Sequence, residues 1–178
     1  LAAAEAGVET VLIEERGALG WEIPHGLELY LTPGATRPAV LQQVVAELGK
    51  QNATRDGVLD PVATELLFDR LLAEAGVRVH FRAHASGLDT RQGGVRVTTK
   101  SGPLAVQARA CVDATEGSRL ARSTGARFAA PQAGGPSHTR AFLLCAVTPP
   151  AQPFEAKVAG LAECLVRTTL WPHEAHVR

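Results

Sequence analysis

Thirteen residues stand ahead of Glu14, and their order narrows what this chain can fold into more than any other stretch. Leu1-Ala2-Ala3-Ala4-Glu5-Ala6 favours helix, since alanine loses little on entering one, and Gly7 suits the left-handed position that ends it. Val8 to Ile13 follows as a short apolar, β-branched run suited to a buried parallel strand, and it stops at Glu14. Helix, glycine, buried strand and acid in that order describe the second half of a nucleotide-binding βαβ unit, whose strand-end acid accepts hydrogen bonds from a ribose. The same order also describes any surface helix followed by any buried strand, and these residues alone leave both readings open. In the nucleotide-binding case the acid falls about 20 positions after the glycine fingerprint begins. The Gly-rich turn and first strand are therefore expected upstream of Leu1, and the chain by itself is not expected to hold a dinucleotide tightly.

A chain of 178 residues supports a substantial core, and 46% of its residues are hydrophobic. Acidic and basic side chains number 18 each, which gives no electrostatic footprint for nucleic acid or a membrane surface. Aromatic residues make up only 4%, too few for base-stacking platforms. No run has the length of a membrane span and no basic-start signal peptide is visible. Cys111, Cys145 and Cys164 are odd in number and widely spaced, which reads as buried, reduced thiols in a cytoplasmic protein.

From Glu15 to Gly34 the sequence is a Gly- and Pro-bearing loop. Thr36-Arg37-Pro38 reads as a helix start, with Val40, Leu41, Val44, Val45 and Leu48 on one face and Gly49 closing it. Asn52 to Gly57 reads as polar loop. Asp60-Pro61 is a second start, an N-cap acid before proline, with Leu66, Leu67, Leu71 and Leu72 as the apolar stripe and Gly76 as the stop. A strand over Val77 to Phe81 follows at once, as in wound α/β sheets. Ala85 to Asp89, Val95 to Thr99 and Leu104 to Val106 then read as a β-meander, with turns at Gln92-Gly93-Gly94 and Ser101-Gly102-Pro103. Cys111 to Ala114 is a further strand expected beside Thr10–Ile13 and Val77–Phe81, followed by a short helix through Thr124 that Gly125 ends. Pro131 to Ser137 reads as loop, Ala141 to Val147 as strand and Glu155 to Thr168 as helix.

This order resembles FAD-dependent oxidoreductases of the glutathione-reductase-like superfamily over residues 1–128. Val11-Leu12-Ile13-Glu14-Glu15-Arg16-Gly17-Ala18-Leu19-Gly20 fits the family's strand, acid and glycine loop, with Trp21 where a second glycine is usual. Asp60-Pro61-Val62 through Leu71-Leu72-Ala73-Glu74-Ala75-Gly76-Val77 matches its Asp-Pro helix and following strand. Cys111-Val112-Asp113-Ala114-Thr115 and Leu120-Ala121 through Gly125-Ala126 match its Asp-Ala-Thr-Gly segment, although Glu116 replaces that glycine and Gly117, Ser118 and Arg119 replace the acid and small residues after it. The resemblance implies an incomplete Rossmann-like FAD-binding domain at 1–128, with a parallel sheet and an inserted meander. Residues 129–178 would begin a substrate-side domain.

It also implies site roles. Glu14 would bind the adenosine ribose, with Glu15 and Arg16 facing the cofactor from the loop beyond. Gly20, lacking a side chain, would let the backbone approach the cofactor closely. The Ala85 backbone would meet adenine, and Ala114, Thr115 and Gly117 would lie near the pyrophosphate with Glu116 turned outward, since a carboxylate facing phosphates is repulsive. The activity implied is hydride transfer between FAD and a small organic substrate, the flavin carrying most of the chemistry; no catalytic residue is assigned. Two other readings stay open: an NAD-binding dehydrogenase, against which the meander argues, and a non-catalytic module that keeps the fold. His80 with His84, and His173-Glu174-Ala175-His176, lack the ligand sets of metal sites, so no metal is expected.

Overall fold

The structure is a computed structural model and describes residues 1–32, 38–89, 93–129 and 140–178. It is mixed α/β, with one small parallel sheet and several antiparallel ones. Helix α1 (Ala2–Glu5) gives way at Gly7, whose φ is +79°, to strand β1 (Val11–Ile13). Helix α2 (Ala39–Lys50) buries Val44 and Leu48 and passes through Gly49 to end at Lys50, one residue later than the glycine suggested. Thr36 and Arg37, read as its start, lie outside the described residues.

The segment read as polar loop is partly a hairpin. Strands β2 (Thr54–Arg55) and β3 (Val58–Leu59) pair antiparallel about Asp56 and Gly57, both with positive φ. Asp-Gly is the dipeptide that such a tight turn requires, so the signal was present. Helix α3 (Pro61–Glu74) starts as its sequence dictates: Asp60 Oδ1 accepts from the Ala63 amide at 2.8 Å, and Pro61 fills the first turn. It buries Thr64, Leu67 and Leu71, while Leu66 points to solvent. Leu66 precedes Leu67 by a full 100° of helical turn, so both cannot face the core. Val44, Leu48, Ala53, Leu59, Leu67 and Leu71 make up the first core.

Strand β4 (Arg78–His80) lies parallel to β1 in the register Val11↔Arg78, Leu12↔Val79 and Ile13↔His80. The meander forms as β5 (His84–Asp89), β6 (Gly94–Thr99) and β7 (Gly102–Gln107), its first turn falling partly outside the described residues. Ala83, Ala85, Val95, Val97 and Leu120, the last from helix α4 (Arg119–Ser123), form a second core on which Ile13 packs.

Two expectations fail. Cys111 to Ala114 is not a strand of the parallel sheet: Val112 is 89% exposed, and among the described residues no strand lies beside the segment. Apolar, β-branched sequence extends as a strand only where its backbone groups find a partner. Glu155 to Thr168 is not a helix either. Its ends are strands β9 (Phe154–Glu155) and β10 (Leu165–Thr168), which pair with each other, and Gly160 between them sits at φ +82°, outside helical space. With β8 (Phe142–Cys145) and β11 (Glu174–Val177) they make a four-stranded antiparallel sheet in the order β8-β11-β10-β9. His173-Glu174-Ala175-His176 therefore belongs to a turn and a strand, not a helix face. The Pro131 to Ser137 loop lies outside the described residues.

Candidate functional site

Glu14 follows the last paired residue of β1, at the carboxyl end of the parallel pair. Its amide donates to the His80 carbonyl at 2.9 Å, and its own carbonyl accepts from the Ala83 amide at 3.0 Å. Both ends of the peptide are thus fixed by the strand beside it and the turn beyond. The half-buried carboxylate bends forward, Oε1 accepting from the Arg16 amide at 2.7 Å, while Oε2 has no partner among the described residues.

The Asp113 loop is organised from within. Asp113 Oδ1 accepts from the Thr115 amide at 3.0 Å and its hydroxyl at 2.6 Å, and Oδ2 accepts from the Ala121 amide at 2.8 Å. Thr115 Oγ1 in turn accepts from the Arg119 amide at 2.8 Å, so acid and hydroxyl together satisfy amides at the start of α4. These bonds, the Thr115 hydroxyl foremost and the Ala121 amide next, hold the Asp113 carboxyl below its ordinary value. Ala114 and Glu116 are exposed. Gly117 has φ +69°, and a Cβ built on it meets nothing within 4 Å, so the loop borders open space.

Loop and strand end meet through one side chain. Arg119 Nη2 donates to Glu15 Oε1 at 2.7 Å, and His84 Nδ1 lies 3.1 Å from the same oxygen. Arg119, whose amide is held by Thr115, thus links the loop to Glu15, the neighbour of Glu14. Ala85, next to His84, is buried on β5, the outer strand of its sheet, where alternate backbone groups face away from β6.

Two expected site residues are engaged elsewhere. The Arg16 guanidinium sits 5.0 Å from the centroid of the Trp21 ring, which stacks on His25 at 4.1 Å. Gly20 has φ +60°, and an added Cβ would lie 2.3 Å from Phe68 Cε2. Its close approach is to a core side chain beside an apolar cavity of about 200 Å3, which Leu19, Val44 and Leu71 also line. Both the positive φ and this packing call for a glycine here.

The cysteines also depart from expectation, since Cys111 and Cys145 are exposed and only Cys164 is buried. Among the described residues, no three His, Cys, Asp or Glu side chains are grouped to hold a metal, and no helix is long and apolar enough to cross a membrane.

A second polar cluster escaped the sequence altogether. The His176 ring is 1% exposed; its Nε2 donates to the Leu27 carbonyl at 2.9 Å, and its Nδ1 is buried without a partner among the described residues. Tyr30 packs against it with ring centroids 5.2 Å apart, donates its hydroxyl to the Thr168 carbonyl, and carries the Arg167 guanidinium 4.5 Å from its ring centroid. Burial pushes the Tyr30 phenol up to about 12 and the His176 imidazole below its ordinary value. Only three-dimensional pairing joins these residues, more than 130 positions apart in sequence.

A strand-end carboxylate beside a glycine-bearing loop, on a parallel pair accompanied by a meander, marks a mixed α/β protein. The model of the family described as FAD dependent oxidoreductase matches residues 1–174, and the chain belongs to that family. It is an oxidoreductase of the flavoprotein class whose cofactor is FAD. No curated protein matches it.

Proposed function

We propose that residues 1–128 form the nucleotide end of a Rossmann-like FAD-binding domain and that residues 129–178 begin a substrate-side domain. The enzyme transfers a hydride between flavin and a small organic substrate, in the cytoplasm, where unpaired thiols such as Cys111 and Cys145 persist. The observation that carries this reading is Glu14. An acid one residue past a parallel strand, with one carboxylate oxygen fixed and the other without a partner among the described residues, suits the ribose hydroxyls of FAD.

The surrounding residues fit the same end of the cofactor. Ala85 lies on β5, the outer strand of the meander, where the adenine would meet the sheet edge, and the open space beside Gly117 leaves room for the pyrophosphate. Exposed Glu116 turns toward solvent, which spares the phosphates a facing carboxylate. When bound, FAD supplies the hydride chemistry. The chain's own part is to hold the ribose through Glu14 and to keep the 113–117 loop in place.

In the full-length protein, Glu14→Ala is expected to weaken FAD binding by about 1–3 kcal/mol, the cost of losing hydrogen bonds to a charged acceptor. Flavin fluorescence in an FAD titration measures it. Unchanged affinity would remove Glu14 from the site, and a protein that binds NAD instead, or neither, would favour the dehydrogenase or the non-catalytic module.

A further inference from the structure

Glu15, exposed just past the end of β1, gives one carboxylate oxygen to both Arg119 and His84. We propose that Glu15, His84 and Arg119 form a clasp that positions the 113–117 loop against the end of β1, so that nucleotide affinity depends on Glu15 and Arg119 acting through the loop.

Three contacts close a ring. Arg119 Nη2 donates to Glu15 Oε1 at 2.7 Å, Arg119 Nη1 donates to His84 Nε2 at 2.6 Å, and His84 Nδ1 lies 3.1 Å from Glu15 Oε1. Arginine has donors only and a carboxylate acceptors only, and the His84 ring lies between the two, with Arg119 Nη1 also 3.3 Å from its Nδ1. The three residues come from three elements: the end of β1, the start of β5 and the start of α4.

The loop has need of such a tie. Residues 108–118 belong to no strand ladder among those described. Asp113 and Thr115 bond only within the loop and the helix it leads into. Leu120, buried in the second core, anchors α4 at one point. Arg119 is the adjacent residue and supplies the second point. Its partners flank both candidate nucleotide contacts, with Glu15 next to Glu14 and His84 next to Ala85. Glu15 and Arg119 are therefore positioning residues.

The clasp is read without any ligand, and only its effect on affinity rests on the FAD reading above. Amide hydrogen exchange at Thr115, Arg119 and Ala121 is compared in the unaltered chain, in Arg119→Gln, in Glu15→Gln, and in a double variant with Glu15→Arg and Arg119→Glu. Each single variant is expected to exchange about three- to fivefold faster at these amides, the range for a partly exposed ion pair. The unfolding midpoint should stay the same, and FAD affinity, read by flavin fluorescence, should fall by a similar factor. Reversing both charges should restore most of the protection and the affinity, which a merely structural loss would not do.

Unchanged local exchange overturns the proposal, as does faster exchange throughout the chain with a lowered midpoint, or failure of the reversed pair to rescue. Single variants that exchange faster yet bind FAD as the unaltered chain does overturn the link to affinity. The affinity arm is read in the full-length protein; if that shows no FAD binding at all, the FAD reading itself fails and the exchange arm decides the clasp.

Discussion

Leu48 and His176 are buried almost equally, at 0% and 1% exposure, yet the regions around them are held in opposite ways. Leu48 sits among Val44, Ala53, Leu59, Leu67 and Leu71, where α2, α3 and the hairpin contribute apolar side chains and the stabilisation scales with the area removed from water. His176 sits on the C-terminal sheet, where Phe142, Leu144 and Phe154 are about half exposed. The contacts that join that sheet to the rest include polar, directional ones: Tyr30 to Thr168, His176 to Leu27 and Arg55 to the Thr169 carbonyl. Apolar packing tolerates small shifts, whereas these bonds fail with angle and with protonation. The first region should respond to lost volume and the second to pH.

The largest effect is expected from Leu48→Ala, which should cost about 2–5 kcal/mol in denaturant unfolding because the site is sealed and a cavity would remain. Leu144→Ala on β8 is the partner measurement. With that side chain 46% exposed, its cost should be clearly smaller. Equal losses at the two positions would end the contrast.

The same contrast explains what the sequence made legible. Around the first core the signals are local: Asp60-Pro61 starts α3, Gly76 ends it at φ +69°, and the spacing of Val44 and Leu48 sets the buried face of α2. Glu14 too was readable, since a strand-end position depends only on where an apolar run stops. The C-terminal sheet is different. Val158, Leu161 and Leu165 happen to fall at helical spacing, but Val158 and Leu161 are exposed, and Leu165 is in a strand that pairs with Phe154–Glu155 at the other end of the window. Cys111 to Ala114 shows the converse, a good strand sequence with nothing described beside it to pair with. The clasp could not be read at all, because it needs the distances among β1, β5 and α4. Arg119 gave only the hint of departing from a familiar pattern.

Gly20 lies between the two regimes and gives the next largest effect. Gly20→Ala places a Cβ against the Phe68 ring on a backbone at φ +60°, so it should cost about 1–3 kcal/mol in the absence of any cofactor. Phe68→Leu in the same chain should return part of that loss, because the obstructing ring is gone. A Gly20→Ala chain of normal stability that binds FAD poorly would instead restore the glycine to the cofactor site.

The smallest effects, and the most specific, are expected from Tyr30 and His176. The His176 imidazole is held below its ordinary value of 6.5 by burial. The unfolded chain therefore takes up the proton first as pH falls. The stability tied to neutral His176 is complete above pH 6.5 and is lost as pH drops through the depressed folded value. Tyr30 has the opposite sign: raised from 10.0 to about 12, its un-ionised phenol contributes fully below pH 10 and is lost as pH climbs toward 12. Tyr30 is the chain's only tyrosine, so phenolate absorbance reports it without interference. Tyr30→Phe should cost about 1 kcal/mol through the lost bond to the Thr168 carbonyl and remove the alkaline limb. His176→Phe should flatten the acid limb while leaving the alkaline one intact. Leu48→Ala, by contrast, should lower stability evenly across the pH range. If it steepened the acid limb as much as His176→Phe flattens it, the two regions would not be held by different means.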